Sequence, residues 1–213
     1  MKVLMTGFDA FGGETINPSW LSVQRVCHEC TDGLRLIGAC LPTEFSASLA
    51  TLQQLIEIHR PDLVIAVGQA GGRSAISLER VAINIDDARI PDNAGWQPID
   101  QPIHPAGDAA YFSTLPIKAI VHALRSEGIP AEVSNSAGTY VCNHVFYGLM
   151  HLCRHIPGMR AGFVHIPYLP EQAAKLPGAP SMAMEIMVRA LTLIVRTALD
   201  TKTDAHLSGG TEC

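Results

Sequence analysis

The sequence predicts an α/β fold: a single-domain α/β/α sandwich around a mostly parallel, twisted central sheet. Runs typical of strands alternate with runs typical of helices from residue 2 to about residue 199, an order characteristic of layered α/β domains. A chain of 213 residues can bury a full core and lies within the range of one domain. We therefore expect one domain over residues 1–200, followed by a polar, mobile tail over residues 201–213.

The first half of the chain supplies the clearest strand and helix patterns. The apolar run 2–6 predicts a first strand, and Pro18 suits the first turn of the helix that follows. The run 34–41 predicts a second strand. Apolar residues at helical spacing predict a helix over 44–59, and the unbroken apolar run 62–68 predicts a buried, central strand.

The second half continues the alternation after one long interruption. Residues 76–85 predict a strand or a pair of strands, and the Pro-, Asp- and Gly-rich segment 86–108 predicts a long loop that serves a site or an interface. The later elements are expected to be a helix at 115–127, a strand at 131–135, a helix ending near 155, a strand at 161–166 and a helix at about 181–199.

The composition excludes several classes of partner. Apolar residues make up 47% of the chain and charged residues only 16%, which predicts that copies of the chain cover part of its surface in a homo-oligomer. The net charge of -5 and the scattered Lys and Arg residues exclude a basic face for nucleic acid. No run approaches the roughly 20 apolar residues that span a bilayer, and the first apolar run is too short for a signal peptide. We expect a cytoplasmic protein without a membrane partner, with reduced cysteines.

Cys27 and Cys30 form a C-x-x-C pair that could suggest a metal or redox site. The pair lies in an amphipathic helical run, and no second pair occurs in the chain. Zinc prefers four ligands, and the redox motif follows a strand directly. The sequence therefore predicts no metal and no cofactor.

Cys142 carries the strongest chemical signal in the chain. It follows the small, flexible segment SNSAGT, just inside the start of a predicted helix. If Thr139 caps that helix, Cys142 is its third residue, where unpaired N–H groups and the positive end of the dipole favour a thiolate nucleophile. The alternative is a small buried helix residue, the usual fate of a lone cysteine.

Two residues distant in sequence could complete a thiol hydrolase. His165 lies in an apolar strand, where an imidazole is costly without a purpose, and could act as the general base. Glu79 interrupts an apolar run and could orient that imidazole as the third member of a triad. A surface ion pair with Arg80 is the alternative for Glu79. The carboxylates that compete for its role are Asp86, Asp87 and Asp92.

The expected position of these residues supports a common site. Ligands bind beyond the carboxyl ends of the strands in open α/β sheets. The loops at 7–13 and 68–73 follow predicted strands, Cys142 lies in the turn after the strand at 131–135, and His165 closes its own strand. Neither glycine-rich loop has the spacing of a dinucleotide or phosphate motif.

Phe8 and Phe11 lie in the first of these loops, which is bounded by glycines. Two aromatic residues in such a loop form either a small satellite core or two walls of a pocket for a flat, uncharged ring.

Four long segments read TGFDAFGGETINPSW, GQAGGRSAISLERVAINIDDARIPDN, SAGTYVCNHVFYGL and HIPYLPEQ. Together they resemble the pyroglutamyl peptidase I family of cysteine peptidases, and they occur in the family's order, with the resemblance running from about residue 2 to about residue 199. The resemblance implies an intracellular exopeptidase that removes an N-terminal pyroglutamyl residue from peptides. It also implies an α/β/α sandwich, usually assembled as a tetramer, and a reaction without metal or cofactor.

The resemblance assigns roles to the residues of each segment. It implies that Cys142 is the nucleophile, His165 the base and Glu79 the third member of the triad. The residues that it implies for substrate binding are Phe8 and Phe11 as aromatic pocket residues, Gln69 as a polar residue beside the site, and Arg89 as an arginine near the thiol. Ala10 stands where the family often has Pro, so we expect a less rigid loop around the two phenylalanines.

Two other functions fit the residue pattern. The same triad could serve another thiol-dependent amidase that acts on a different small acyl group. From a different class, the chain could be a non-catalytic, small-molecule-binding module on a similar α/β scaffold. Turnover of a panel of acyl amides and the reactivity of the thiol discriminate among the three.

Overall fold

The computed structural model describes residues 1–29 and 33–210. The strands are β1 (Lys2–Phe8), β2 (Arg35–Leu41), β3 (Leu63–Gln69), β4 (Ile76–Glu79), β5 (Val81–Ile83), β6 (Ala110–Phe112), β7 (Ala131–Ser134) and β8 (Arg160–Ile166). The helices are α1 (Pro18–Glu29), α2 (Phe45–His59), α3 (Ile117–Ser126), α4 (Val141–Cys153), α5 (Pro170–Ala173) and α6 (Met184–Asp200).

The main sheet has the strand order β2-β1-β3-β8-β4-β7. Each neighbouring pair is parallel except β4 against β8, which is antiparallel. The prediction of a mostly parallel sheet is confirmed. A separate ribbon pairs β5 with β6 in the antiparallel sense.

Helices cover both faces of the sheet, as the predicted sandwich requires. One core cluster packs α1, α3 and α6 against one face, and a second packs α2 and α4 against the other. Every residue of β3 is buried, because this strand lies inside the sheet with helices on both sides. The predicted central position of the 62–68 run is therefore confirmed.

Two short elements were not predicted from the sequence. The strand β6 has three residues and the helix α5 has four, so neither is long enough to show a periodic pattern. Helix α5 begins at Pro170, and the backbone N–H of Leu169 donates to the side chain of Gln172 at 3.1 Å. This contact fixes the turn that follows β8.

The long segment 86–108 is held by polar contacts rather than by regular structure. Asp86 pairs with Gln101 in an isolated bridge. The backbone N–H of Asp87 donates to the carbonyl of Thr139 at 2.9 Å, and the Asp92 carboxylate accepts the N–H of Phe45 at 2.9 Å. The segment therefore ties the starts of α2 and α4 together.

The described part of the tail contacts the domain. The Asp204 carboxylate accepts the N–H groups of Lys118 and Ala119 at the start of α3, and the carbonyl of Gly209 accepts a hydrogen bond from Arg80 at 2.7 Å. The mobility of residues 201–213 stays a prediction. Cys30 and Cys213 lie outside the described residues.

Within residues 1–29 and 33–210, none of the helices combines the length and the apolar character that a membrane span needs.

Candidate active site

Helix α4 begins one residue later than the sequence analysis expected. Tyr140, in an extended conformation, is the N-cap residue, so Cys142 is the second residue of the helix. The prediction that Thr139 caps the helix is wrong, because its hydroxyl donates to the carbonyl of Asp87 at 2.7 Å. Cys142 still lies within the first turn, where backbone N–H groups have no helical partner.

The Cys142 thiol lies over Gly68 of β3. A Cβ atom added at Gly68 would be 2.9 Å from the sulfur of Cys142 and 2.9 Å from the ring of Phe163. Gly68 pairs with His165 in the parallel ladder between β3 and β8, so both residues face the same side of the sheet. The absent side chain at Gly68 therefore leaves the space that the thiol occupies, on the face of the sheet to which His165 also belongs.

The candidate residues do not all lie at the carboxyl ends of strands that run in one direction, as the sequence analysis expected. The strands β1, β3 and β8 run in the same direction, but β7, which precedes Cys142, is parallel to β4 and thus opposite to β8. The carboxyl end of β7 consequently points away from the edge at which β8 ends. Residues 135–140 connect β7 to α4, whose first turn brings Cys142 over the sheet.

Glu79 reaches His165 from the antiparallel strand β4. Ser77 of β4 pairs directly with His165, and Glu79 faces the same side two residues further on. The Nδ1 atom of His165 lies 2.8 Å from Oε1 of Glu79. Glu79 is 0% exposed and His165 4% exposed, so the pair is shielded from solvent.

Arg73, which the sequence analysis did not single out, also contacts Glu79. Its guanidinium donates to Oε1 of Glu79 at 2.7 Å and to the carbonyl of Ser136 at 3.1 Å. The expected alternative partner, Arg80, instead binds Asn135 and Gly209. The only local signal for Arg73 is its position directly after the glycine-rich turn that follows β3.

The electrostatic environment favours an ionised Glu79. Burial acts to raise the pKa of its carboxyl, but the hydrogen bond and charge of His165, together with the charge of Arg73, outweigh burial and lower that pKa below its ordinary value. Glu79 is therefore a carboxylate at neutral pH.

The thiol has the opposite shift. Burial, with a contribution from the negative charge of Glu79, raises the pKa of Cys142 to about 12, although Arg73 acts to lower it. The expectation of a preformed thiolate is not supported, because burial and the charge of Glu79 raise the pKa of the thiol. The thiol is the resting form, and a nucleophile requires transfer of its proton to a base.

The competing carboxylates have other partners. Asp86 pairs with Nδ1 of His144 at 2.8 Å. Asp92 accepts backbone N–H groups, including those of Phe45 and Trp96. The side chain of Asp87 is exposed. Among these acidic residues, Glu79 is the one in contact with His165.

The two phenylalanines expected in the first loop lie in different elements: Phe8 is the last residue of β1, and Phe11 lies in the loop that follows. Phe8 is 2% exposed, and its ring centroid is 6.3 Å from that of Phe163, which in turn lies 4.9 Å from the imidazole of His165. Phe11 is half-buried, with its ring centroid 6.0 Å from that of Tyr140 at the start of α4.

The loop that contains Phe11 is held by hydrogen bonds, although Ala10 stands where the family often has Pro. The Asn93 side chain donates to the carbonyl of Ala10 at 2.9 Å, and Asp9 accepts the N–H of Thr43 at 2.7 Å. Side-chain contacts from two neighbouring segments thus limit the freedom that a missing proline would otherwise give.

The two remaining predicted binding residues differ in their surroundings. Gln69 ends β3, and its Oε1 atom accepts a hydrogen bond from Gln172 of α5 at 3.0 Å. Arg89 is exposed in the segment that runs beside the start of α4, where Asp87 contacts Thr139. Across the described residues, no group of three or more His, Cys, Asp or Glu side chains is arranged to hold a metal ion.

A buried carboxylate, an imidazole and a thiol in this order, on an α/β sandwich, are typical of thiol-dependent acyl hydrolases. The sequence model of the pyroglutamyl peptidases matches residues 1–201, and the chain belongs to this family.

Individual relatives and solved structures agree with this membership. A pyrrolidone-carboxylate peptidase of Erwinia tasmaniensis is 56% identical over 209 residues, covering 98% of each chain, and one of Cupriavidus necator is 55% identical over 210 residues, covering 98% of this chain and 97% of its own. The crystal structure of pyroglutamyl peptidase I from Bacillus amyloliquefaciens superposes with a TM-score of 0.93 at 50% identity, covering 97% of this chain and 99% of that one. Pyrrolidone carboxyl peptidase from Thermococcus litoralis gives a TM-score of 0.89 at 40% identity, covering 93% of both chains.

Proposed function

We propose that the protein is a cysteine peptidase that hydrolyses the amide bond after an N-terminal pyroglutamyl residue, with Cys142 as nucleophile, His165 as base and Glu79 as the carboxylate that orients it. The observation that carries the proposal is the buried 2.8 Å contact between Glu79 and His165, on the same face of the sheet as the thiol that occupies the space over Gly68. Membership in the pyroglutamyl peptidase family supports the choice of substrate.

The reaction begins with proton transfer, because the resting thiol is protonated. His165 takes the proton of Cys142, and the sulfur attacks the carbonyl carbon of the pyroglutamyl residue. Glu79 stabilises the imidazolium that forms. The N–H groups at the start of α4 can donate to the oxyanion of the tetrahedral intermediate, with Arg89 as a further candidate donor.

Collapse of the intermediate completes acylation. The C–N bond breaks, the leaving amine takes the proton from His165, and the pyroglutamyl group remains on Cys142 as a thioester. Water then loses a proton to His165 and attacks the thioester, which releases pyroglutamate and returns the thiol. The sequence of steps uses only residues of this chain and water.

The proposed pocket suits an uncharged lactam. Pyroglutamate has no free ammonium group, so its recognition requires flat apolar walls and hydrogen-bonding partners rather than an acidic anchor. Phe8 and Phe11 supply such walls in this proposal. Gln69, fixed by Gln172, supplies a polar group at the end of β3.

Hydrolysis of a chromogenic pyroglutamyl amide tests the proposal. We expect turnover that stops when a thiol-blocking reagent modifies Cys142, and little turnover of the corresponding prolyl amide, which lacks the lactam carbonyl. Turnover of another acyl amide with none of the pyroglutamyl compound would identify a different thiol amidase. Absence of turnover across the whole panel would favour a binding module.

We also propose that the protein assembles as a homotetramer in the cytoplasm. Exposed apolar side chains support assembly, among them Ile58, Ile99 and Phe112, which are 72%, 68% and 69% exposed. The thiol state of Cys40, Cys142 and Cys153 agrees with a reducing compartment. Sedimentation velocity should give one species with the mass of four chains, and a monomer at micromolar concentration would reject the tetramer.

A further inference from the structure

Arg73 occupies a turn whose shape depends on two glycines. Gly72 has a φ of +89°, which other residues rarely adopt, and a Cβ added at Gly71 would lie 2.1 Å from the hydroxyl oxygen of Tyr168. The N–H of Arg73 donates to the carbonyl of Ala70 at 3.3 Å and closes the turn. The backbone at Arg73 is therefore held in place between the end of β3 and Tyr168.

The guanidinium of Arg73 joins three separate segments. It extends from the turn after β3 to Glu79 at the end of β4, at 2.7 Å, and to Ser136 in the connection before α4, at 3.1 Å. Oε1 of Glu79 therefore receives both this hydrogen bond and the contact with Nδ1 of His165. A planar guanidinium can make two such bonds in fixed directions, which an ammonium group cannot.

Arg73 places a positive charge next to the buried carboxylate of Glu79. Glu79 is fully buried, whereas the side chain of Arg73 is 29% exposed, so the arginine supplies a counter-charge at the boundary with solvent. A fully buried carboxylate without a nearby counter-charge would be costly. Arg73 also opposes the rise in the pKa of Cys142 that burial and Glu79 cause.

We propose that Arg73 is a positioning residue for the reaction: it holds Glu79 as a carboxylate directed at His165 and fixes the connection that leads to Cys142. The inference rests on the proposed function for its kinetic readout. Arg73 acts through Glu79 and the backbone at Ser136, so its loss should slow catalysis without weakening substrate binding.

The test compares R73Q and R73K with the matched control R80Q. Arg80 is also an arginine bound to the connection before α4, through Asn135, but it binds Gly209 in place of Glu79. For each protein, kcat and KM are measured with a pyroglutamyl amide. The rate at which iodoacetamide modifies Cys142 is followed by peptide mass spectrometry at several pH values, and unfolding is followed by heating.

We expect R73Q to lower kcat by about tenfold or more, with KM nearly unchanged. The modification of Cys142 at a given pH should slow by a similar factor, because an adjacent counter-charge shifts a pKa by roughly a unit or more. R73K should recover part of the alkylation rate, because it keeps the charge. R80Q should match the wild type in both assays. The R73Q substitution should lower kcat less in an E79Q background than in the wild type, because the ion pair between Arg73 and Glu79 is already lost in E79Q.

Equal losses in R73Q and R80Q, or wild-type kcat and alkylation in R73Q, would overturn the inference. If R73Q unfolds at the assay temperature, the R73K variant provides the test. A wild-type kcat and a wild-type alkylation rate in R73K would show that the two directed hydrogen bonds of the guanidinium are not needed, and would overturn the inference. A wild-type protein that cleaves no pyroglutamyl amide would reject the proposed function. The role of Arg73 would still be tested by the alkylation rate of Cys142, because alkylation requires no substrate.

Discussion

The two ends of α4 carry similar sets of side chains in different surroundings. At the first turn, Cys142 lies over Gly68, the residue that pairs with His165 in the sheet, and the imidazole of His165 contacts the fully buried Glu79. At the last turn, Cys153 is accompanied by a histidine on the same helix, His151, together with a carboxylate and an arginine.

The partners at the last turn are connected differently. Cys153 donates its S–H to the carbonyl of Met159 at 3.0 Å, and Nδ1 of His151 contacts the hydroxyl of Tyr111 at 3.0 Å. The carboxylate of Asp108 pairs with Arg154, and both of these side chains are more than half exposed. Burial and the nearby charges of other histidines lower the pKa of His151.

The comparison shows that the side-chain types alone do not produce the arrangement of the candidate site. At the first turn, paired strands β4 and β8 hold the carboxylate and the imidazole side by side inside the protein. At the last turn the carboxylate lies on an exposed loop and binds the arginine, so it cannot orient the histidine. Matched substitutions at the two ends should therefore have very different effects on activity.

The largest difference is expected for the two cysteines. C142A should fold and lose at least about a thousandfold in kcat/KM, because the substitution removes the proposed nucleophile. C153A should keep its activity and lose about 1 kcal/mol or more of stability, because the carbonyl of Met159 loses its partner. Activity retained in C142A would reject the nucleophile.

Substitution of the two histidines should give a difference in activity nearly as large as that for the two cysteines. H165A removes the proposed base, so we expect a loss of at least about a thousandfold in kcat and slower alkylation of Cys142. H151A should leave kcat unchanged within about twofold, since its imidazole is bound to Tyr111. Wild-type alkylation of Cys142 in H165A would show that another group takes the thiol proton.

Substitution of the two carboxylates, Glu79 and Asp108, tests which of them orients a histidine for the reaction. E79Q keeps the shape of the side chain but removes the charge that stabilises the imidazolium, and we expect kcat to fall by about a hundredfold to ten-thousandfold with residual turnover. D108N breaks an exposed ion pair, which is worth little, and should change neither kcat nor stability by a measurable amount. An unchanged rate in E79Q would reduce Glu79 to a structural role.

The smallest effects concern the pH dependence of stability. The pKa of Cys142 is raised in the folded protein to about 12, above an unfolded value of about 8.5. Its contribution is therefore fully present below pH 8.5 and is lost as the pH rises toward 12. Urea unfolding should show that C142A loses less stability than the wild type between pH 8.5 and about 10.5.

Glu79 should act in the opposite direction. Its pKa is lowered in the folded protein, so its contribution is present above an unfolded value of about 4.3 and is lost as the pH falls through the folded value. E79Q should therefore be less sensitive to acid than the wild type. Parallel pH curves for the wild type and either variant would contradict the corresponding shift.

Local patterns determined most of the secondary structure. The predicted helix at 44–59 and strand at 62–68 correspond to Phe45–His59 and Leu63–Gln69, because apolar periodicity reports directly which face of a segment is buried. The short elements β6 and α5 escaped prediction, since three or four residues are too few to show a period.

The candidate site was predictable as a set of unusual residues. Glu79 and His165 attracted attention because a polar side chain within an apolar run needs a partner, and Cys142 because it begins a helix. The sequence could not predict that β4 and β7 reverse direction relative to β8, since the direction of a strand depends on which neighbour it pairs with.

The sequence by itself thus determined the layered architecture, the family and the choice of candidate reactive side chains, because these follow from local patterns along the chain. Only the tertiary structure decided that Arg73 rather than Arg80 pairs with Glu79, and that Cys142 rests as a thiol. Charge interactions and desolvation depend on distances in space, and Glu79 and His165 are 86 residues apart in the chain but 2.8 Å apart in the fold.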